Sequence, residues 1–202
     1  LESIGQKSIN NVVDAANFVL MDTGHPLHTF DLDKLATKQI NVRFARKGEK
    51  LTTLDQNERE LTSDHLLICD GDTPVALAGI MGCSNSGIDE KSTNVLLESA
   101  YFKPTVVRKG AKLLDLSTEA SKRFERGTDI EAVIPALDQL ASLIVEVSGG
   151  SILKDVIDIY PKKKDTIHIP FNVIHCNEFL GSNLTEGEML SVFTKLNINI
   201  TV

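Results

Sequence analysis

The chain has 202 residues, 42% hydrophobic and 24% charged, the balance of a soluble globular protein able to bury its own core. A formal net charge of −7 argues against a protein that coats nucleic acid. No apolar run reaches membrane-span length and no signal peptide opens the chain, and Cys69, Cys83 and Cys176 form neither a disulfide framework nor a zinc motif, so a reducing cytoplasm is expected.

The opening "LESIGQKSIN" lacks a methionine and reads as a cut from a longer protein. "NNVVDAANFVLMDTG" predicts a first helix, capped by Asn10 or Asn11 and ended at Gly24, with Val13, Ala16, Asn17 and Leu20 on one face. Asn17 is then a polar group on an apolar stripe, either a helix brace or a ligand contact. Gly24 and Pro26 punctuate a turn, and His28 and Asp31 lie just beyond it. "INVRFAR" alternates as a strand with Ile40, Val42 and Phe44 on one face, and a hairpin turns around Asp55 to Glu58. "HLLICD" and "PVALAGIMG" are short runs of buried-strand type. The glycines of "GIMGCSNSG" let a backbone pass close to something, without a nucleotide-binding pattern.

In "NVLLESAYF", Val95, Leu97, Ser99 and Tyr101 point one way and Leu96, Glu98, Ala100 and Phe102 the other. Glu98 thus sits on an apolar face. It requires either a salt bridge, with Arg108 or Arg123, or a polar pocket. A short helix follows through Val106, Val107, Ala111 and Leu114. "STEASKRFERG" reads either as a helix start capped by Ser117 or Thr118 and closed by Gly127, or as the wall of a small pocket. Lys103 to Arg126 holds seven basic residues and three acids, a local +4, which is a solvated face or a phosphate contact. Thr128 and Glu131 have capping-box spacing before a long amphipathic helix through Val133, Leu137, Leu140, Ala141, Ile144 and Val147, which starts near Pro135 and ends at Gly149 and Gly150. A strand in "DVIDIY" precedes a charged, proline-flanked connector. A boundary near Pro161 divides residues 1–160 from 161–202, whose tail holds two short helices, the second with a Thr185/Glu188 capping box, and a last strand.

"VVDAANFVLMDTGHPLHTFDLDKL", "ALAGIMG", "NVLLESAYF" and "STEASKRFERG", in this order, closely resemble the B3/B4 domain of the bacterial phenylalanyl-tRNA synthetase β subunit, from about residue 5 to residue 150. The tail from about Thr166 is similar to the first half of the B5 domain. The resemblance implies an α+β fold of mixed sheets with flanking helices. It implies an editing module that hydrolyses tyrosine wrongly attached to tRNA(Phe), within an α2β2 assembly with an α subunit. ATP and magnesium are expected only for the full synthetase, not for this chain. A hydrophobic synthetic pocket cannot strongly reject an analogue that only adds a hydroxyl, so a second, hydrolytic site is useful.

By the resemblance, Glu98 matches the glutamate that meets the tyrosine hydroxyl, with the Gly79 backbone nearby and Gly82 in the loop lining the pocket. Thr118 and Ala120 match pocket walls. Asn17, Pro26 and His28 match residues on the opposite side, near the amino-acid backbone. His28, Glu98 and Thr118 are the catalytic candidates, with His28 orienting water or accepting a proton. Lys7, Arg108, Lys109 and Arg123 are the candidate tRNA contacts. Cys83 stands where the family commonly has glycine, Ala16 where it often has threonine, and Lys7 where it has arginine. Cys83 is expected either to narrow the loop or to point to solvent. A non-catalytic module that positions tRNA and an amino-acid sensor are the alternative functions.

Overall fold

The computed structural model describes residues 1–154, 156–165 and 167–201. The chain forms two compact units, Leu1–Lys154 and Asp155–Val202. The division falls ahead of Pro161.

In the first unit, helix α1 (Asn11–Thr23) begins at Asn10, whose side chain accepts from Val13 N, and ends at Gly24 in the left-handed region. Strand β1 (Leu27–Asp31) follows, so His28 lies on a strand and not in a turn. β2 (Ile40–Phe44), β5 (Leu66–Asp70), β6 (Thr73–Leu77) and β7 (Met81–Gly82) form a four-stranded sheet in that order, with the β5–β6 and β6–β7 pairs antiparallel. β3 (Lys50–Thr52) and β4 (Glu58–Glu60) form the expected hairpin. β8 (Val95–Ser99) returns to pair antiparallel with β1 as a separate ribbon. Helices α2 (Pro104–Leu113), α3 (Glu119–Phe124) and α4 (Val133–Ser148) complete the unit.

The ribbon is the partition between two cores. Phe30, Leu96 and Ala100 face the larger core, which includes Leu67, Leu77, Phe102, Val107 and Phe124. Leu27 and Leu97 face the smaller one, where α1 and α4 pack through Ala15, Ala16, Val19, Ala136 and Leu140. Full burial of a side chain such as Leu140 contributes about 1.5–3 kcal/mol. The alternation in "NVLLESAYF" therefore holds: Glu98 shares the face of Leu96 and Ala100, and Ser99 on the other face donates to the Val133 carbonyl at 2.6 Å. A slip of one residue would turn Glu98 onto the α4 side.

Three expectations fail on orientation. In α1 the buried stripe is Val12, Ala15, Ala16, Val19 and Leu20, leaving Val13 and Asn17 half-buried. In β2, Ile40, Val42 and Phe44 are 44%, 57% and 52% exposed. Alternation fixes the period of a strand but not which face is covered, and β2 is at the sheet edge. Its Arg43 instead grips Glu49 with both terminal nitrogens, at 2.9 and 2.7 Å, which holds the Glu49 carboxyl down to about 2. In α4 the buried centre is Ala136 and Leu140, while Val147 is 48% exposed. The turn before α4 is capped by Asp129, which accepts from Glu131 N, and not by a Thr128–Glu131 box. Pro135 then occupies the first turn of α4, where no intrahelical N–H bond is lost.

In the second unit, α5 (Val173–Leu180) is capped by Asn172, and α6 (Glu186–Lys195) by the expected Thr185/Glu188 box. Asn177 ties the connecting loop through both backbone groups of Leu184. Residues 156–160 form no strand: Ile157 and Ile159 are 90% and 80% exposed, and a strand without a partner leaves its hydrogen-bonding groups to water. Residues 197–201 form none either. The first residue of the expected strand, Asp155, the start of the B5-like tail, Thr166, and the terminal Val202 lie outside the described residues. Among the described residues no helix is long and apolar enough to cross a membrane.

Candidate functional site

The β1–β8 register sets His28 directly opposite Glu98. Cross-strand partners share a face, with Cβ atoms about 5 Å apart. Both side chains therefore line one wall of a cleft. The loop from Gly79 to Gly82, Ala120 and Phe124 of α3, and Pro26 ahead of β1 line it too, with Leu27 of β1 and Ile68, Ala76 and Leu77 of the four-stranded sheet. Its empty volume, open mouth included, is about 360 Å³.

Glycine is required twice in this loop. Gly79 has φ +69°, and a Cβ there would meet Phe102, Val107 and Phe124 at 2.9, 3.0 and 3.1 Å. A Cβ on Gly82 would lie 2.6 Å from Cε1 and Nε2 of His28, so the imidazole rests directly on the glycine. The ring also packs against Phe30, with centroids 4.5 Å apart and the rings nearly perpendicular. Phe102 and Phe124 stack edge to face at 5.0 Å beneath the loop.

The loop is anchored by Thr118. Its hydroxyl donates to the Ile80 carbonyl at 2.8 Å and accepts from Ser121 N at 3.0 Å, while Ser121 Oγ accepts from Thr118 N. One side chain thus caps α3 and fastens the cleft loop to it. Replacing Thr118 by valine removes both bonds at nearly constant volume. A loss of about 2 kcal/mol is expected, about 1 for the cap and about 1 for the orphaned Ile80 carbonyl. Serine at the same position is expected to retain most of the stability. Urea unfolding of the two variants checks this.

Burial dominates the electrostatics. It raises the Glu98 carboxyl to about 7 and lowers the His28 imidazole to about 4. Among the described residues Glu98 makes no salt bridge: Arg123 is taken by Glu119 at 2.7 Å, and Arg108 is exposed without a partner. Near neutral pH the cleft wall holds a neutral imidazole beside a carboxyl that exchanges its proton readily. Such a pair can donate to, or accept from, a neutral hydroxyl.

Pro26, His28, Gly79, Gly82, Glu98 and Ala120 all meet at this cleft. Asn17 and Thr118 are not among its lining residues. The Asn17 amide makes no helix-bracing hydrogen bond among the described residues, and the Thr118 hydroxyl is committed to the loop. His28 shares the Glu98 wall and does not face it across the cleft. Lys7 is exposed ahead of α1. Lys109 pairs with Asp64 at 2.9 Å. Cys83 neither narrows the cleft nor reaches solvent: it is buried in the larger core, which pushes its thiol up to about 12. Phe124 was not foreseen as a lining residue; its only signal was an apolar side chain within "SKRFERG". Among the described residues no group of three or more His, Cys, Asp or Glu is placed to hold a metal ion.

Residues 1–149 match the B3/4 domain family. The chain belongs to this family. It is 50% identical over its full length to the phenylalanine–tRNA ligase beta subunit of Geobacter metallireducens, covering 25% of that protein. It is 51% identical over 97% of its length to the same subunit of Geobacter sulfurreducens, covering 24% of it, and 42% identical over its full length to that of Halalkalibacterium halodurans, covering 25%. The chain thus spans about a quarter of the length of these relatives. The α+β architecture, with antiparallel sheets flanked by helices, is the one expected for the family.

Proposed function

We propose that this chain is the editing part of a phenylalanine–tRNA ligase beta subunit and that its cleft hydrolyses tyrosine esterified to tRNA(Phe). The observation that carries this reading is Glu98, a carboxyl without a hydrogen-bond or ion-pair partner among the described residues, desolvated on an apolar cleft wall. The tyrosine hydroxyl meets Glu98 and satisfies it. A phenylalanine ring in the same place leaves it unpaired, at a cost of about 1–3 kcal/mol, so the correct product is held less well. Ala120 and the two glycines leave room for the ring, and Phe124 gives it an apolar edge.

Water then attacks the ester carbonyl. His28, neutral at working pH because burial lowers it to about 4, accepts a hydrogen bond from that water and orients it. Thr118, with its hydroxyl already used, is a positioning residue for the Ile80 carbonyl and the loop. Asn17 and Lys7 contribute to holding the amino-acid backbone and the tRNA end. The partners in this reading are the 3′ end of tRNA(Phe) and the α subunit of an α2β2 assembly, in the cytoplasm. ATP and magnesium serve the synthetic reaction elsewhere in that assembly.

The test is deacylation of tyrosyl-tRNA(Phe) and phenylalanyl-tRNA(Phe) by an assembled ligase carrying this beta subunit. The parent enzyme is expected to clear the tyrosyl ester selectively. Glu98→Ala is expected to lose at least tenfold of that selectivity, the equivalent of one unsatisfied buried group. If the parent enzyme leaves the tyrosyl ester intact, the domain is a tRNA-positioning module. Full deacylation by a His28→Ala variant would remove the imidazole from the chemistry. Lost tyrosine preference in that variant, through KM and with unchanged kcat for both esters, would make His28 a buttress for Glu98.

A further inference from the structure

The segment from Lys103 to Arg126 has seven basic and three acidic residues, and the fold sorts them. Lys109 is paired with Asp64, and both Lys122 and Arg123 with Glu119. Lys103, Arg108, Lys112 and Arg126 remain. All four are exposed, and their side chains make no ion pair or hydrogen bond among the described residues. Of the segment's acids only Asp115 and Glu125 are left to oppose them, and neither pairs with a cation among the described residues. In a chain of net charge −7, this is a concentrated positive surface.

The four cations are also ordered in space. Arg108 and Lys112 are one turn apart on α2 and share a face. Lys103 precedes the first turn of α2, and Arg126 joins it there because Gly127 lies against Pro104. The stripe from Lys103 to Lys112 is about 14 Å long at the helical rise. The opposite face of α2 is the back of the cleft: Val107 abuts Gly79, and Gly110 abuts Ile80. The basic stripe thus lies about one helix diameter, roughly 10 Å, from the loop that lines the site.

We propose that this outer face of α2, with Lys103, Arg108, Lys112 and Arg126, holds the phosphodiester backbone of the single-stranded 3′ end of an RNA whose terminal aminoacyl ester enters the cleft. The inference rests on the reading of the cleft as an ester hydrolase for tRNA. A linear array of unpaired cations suits a regularly spaced polyanion and gives salt-sensitive, sequence-tolerant binding. Lys109 and Arg123, both neutralised by carboxylates, lie outside this contact.

The experiment uses the assembled ligase with Arg108→Glu and Lys112→Glu together, against the same charge change at the exposed Lys47 and Lys91. Three quantities are measured: binding of an acceptor-stem RNA hairpin with a single-stranded 3′ tail, hydrolysis of tyrosyl-tRNA(Phe), and hydrolysis of the small ester tyrosyl-adenosine. The stripe variant is expected to bind the hairpin about tenfold more weakly, with a log–log salt slope flatter by about 1.4 for two lost phosphate contacts. The KM for tyrosyl-tRNA(Phe) is expected to rise with it, while cleavage of tyrosyl-adenosine stays unchanged. Hairpin affinity and salt slope no different from the Lys47/Lys91 control would overturn the proposal. So would failure of the stripe variant to assemble with its partner subunit, which would assign the face to a protein. If the parent enzyme cleaves neither ester, the hydrolase reading falls, and hairpin binding still decides the role of the stripe.

Discussion

A Gly79→Ala substitution is expected to destabilise the first unit by about 3 kcal/mol. Two separable causes add. A residue with a Cβ at φ +69° costs about 1–2 kcal/mol. The new methyl then meets three side chains at 2.9 to 3.1 Å, and crowding of this kind in a packed core costs about 1–3 kcal/mol. In a domain of this size the sum lowers the melting temperature by about 10 °C. Gly24 provides the control: its φ is +74°, and nothing lies within 4 Å of the added atom. Gly24→Ala is therefore expected to show the backbone part alone, about 1 kcal/mol. Urea unfolding of both variants decides the matter. Equal losses would mean that Phe102, Val107 and Phe124 yield freely and that the loop is not held by packing.

The contrast between Gly79 and Gly82 explains why one loop needs two glycines. Gly79 is fixed by the core beneath it. Gly82 is fixed by the site above it, since the imidazole of His28 occupies the space a side chain would take. The first glycine sets where the loop runs, and the second lets the His28 ring approach that loop closely. Thr118 completes the arrangement by fastening the carbonyl of Ile80, between the two glycines, to the start of α3. The cleft is thus built by contacts between segments distant in sequence, which settles what could be read beforehand.

Glu98 was legible because a single carboxylate interrupts a period-2 apolar face, and that pattern is local. His28 was not legible as its neighbour. "GHPLHTFD" reads as a turn with polar residues, and its strand character comes from pairing with β8, about 70 residues later in the chain. The same limit applies to β2, where the alternation was visible but its covered face was not. It applies to the basic segment as well. The Glu119–Arg123 pair follows from helical spacing, whereas the Lys109–Asp64 pair joins residues 45 apart. Sequence alone therefore did not show that Lys109 is engaged by a carboxylate, and it gave Lys112 no special place.

The pairing of His28 with Glu98 also predicts opposite pH dependences for two single variants. In the unfolded chain Glu98 releases its proton near 4.5 and His28 near 6.5. In the folded chain the order is reversed: His28 is neutral above about 4, and Glu98 keeps its proton to about 7. Between pH 4.5 and 6.5 each state of the pair holds one proton, on His28 when unfolded and on Glu98 when folded. Folding moves that proton without net uptake, so the pair adds no slope to stability in this window.

Removing either member exposes the other. With Glu98→Gln, the unfolded state binds a proton on His28 that the folded state refuses, so stability rises with pH from about 4 to 6.5. With His28→Gln, the folded state keeps a proton on Glu98 that the unfolded state has lost, so stability falls with pH from about 4.5 to 7. The ceiling for each is about 3 kcal/mol across its window, and solvent at the cleft mouth reduces this to roughly half. Urea midpoints for the parent and both variants, at intervals from pH 4 to 7.5, measure the slopes relative to the parent. Slopes of the same sign would show that burial does not govern both groups. Opposite slopes, with that of His28→Gln continuing to about pH 7, would establish a partly protonated Glu98 at neutral pH, able to donate to a phenolic oxygen as well as to accept from it.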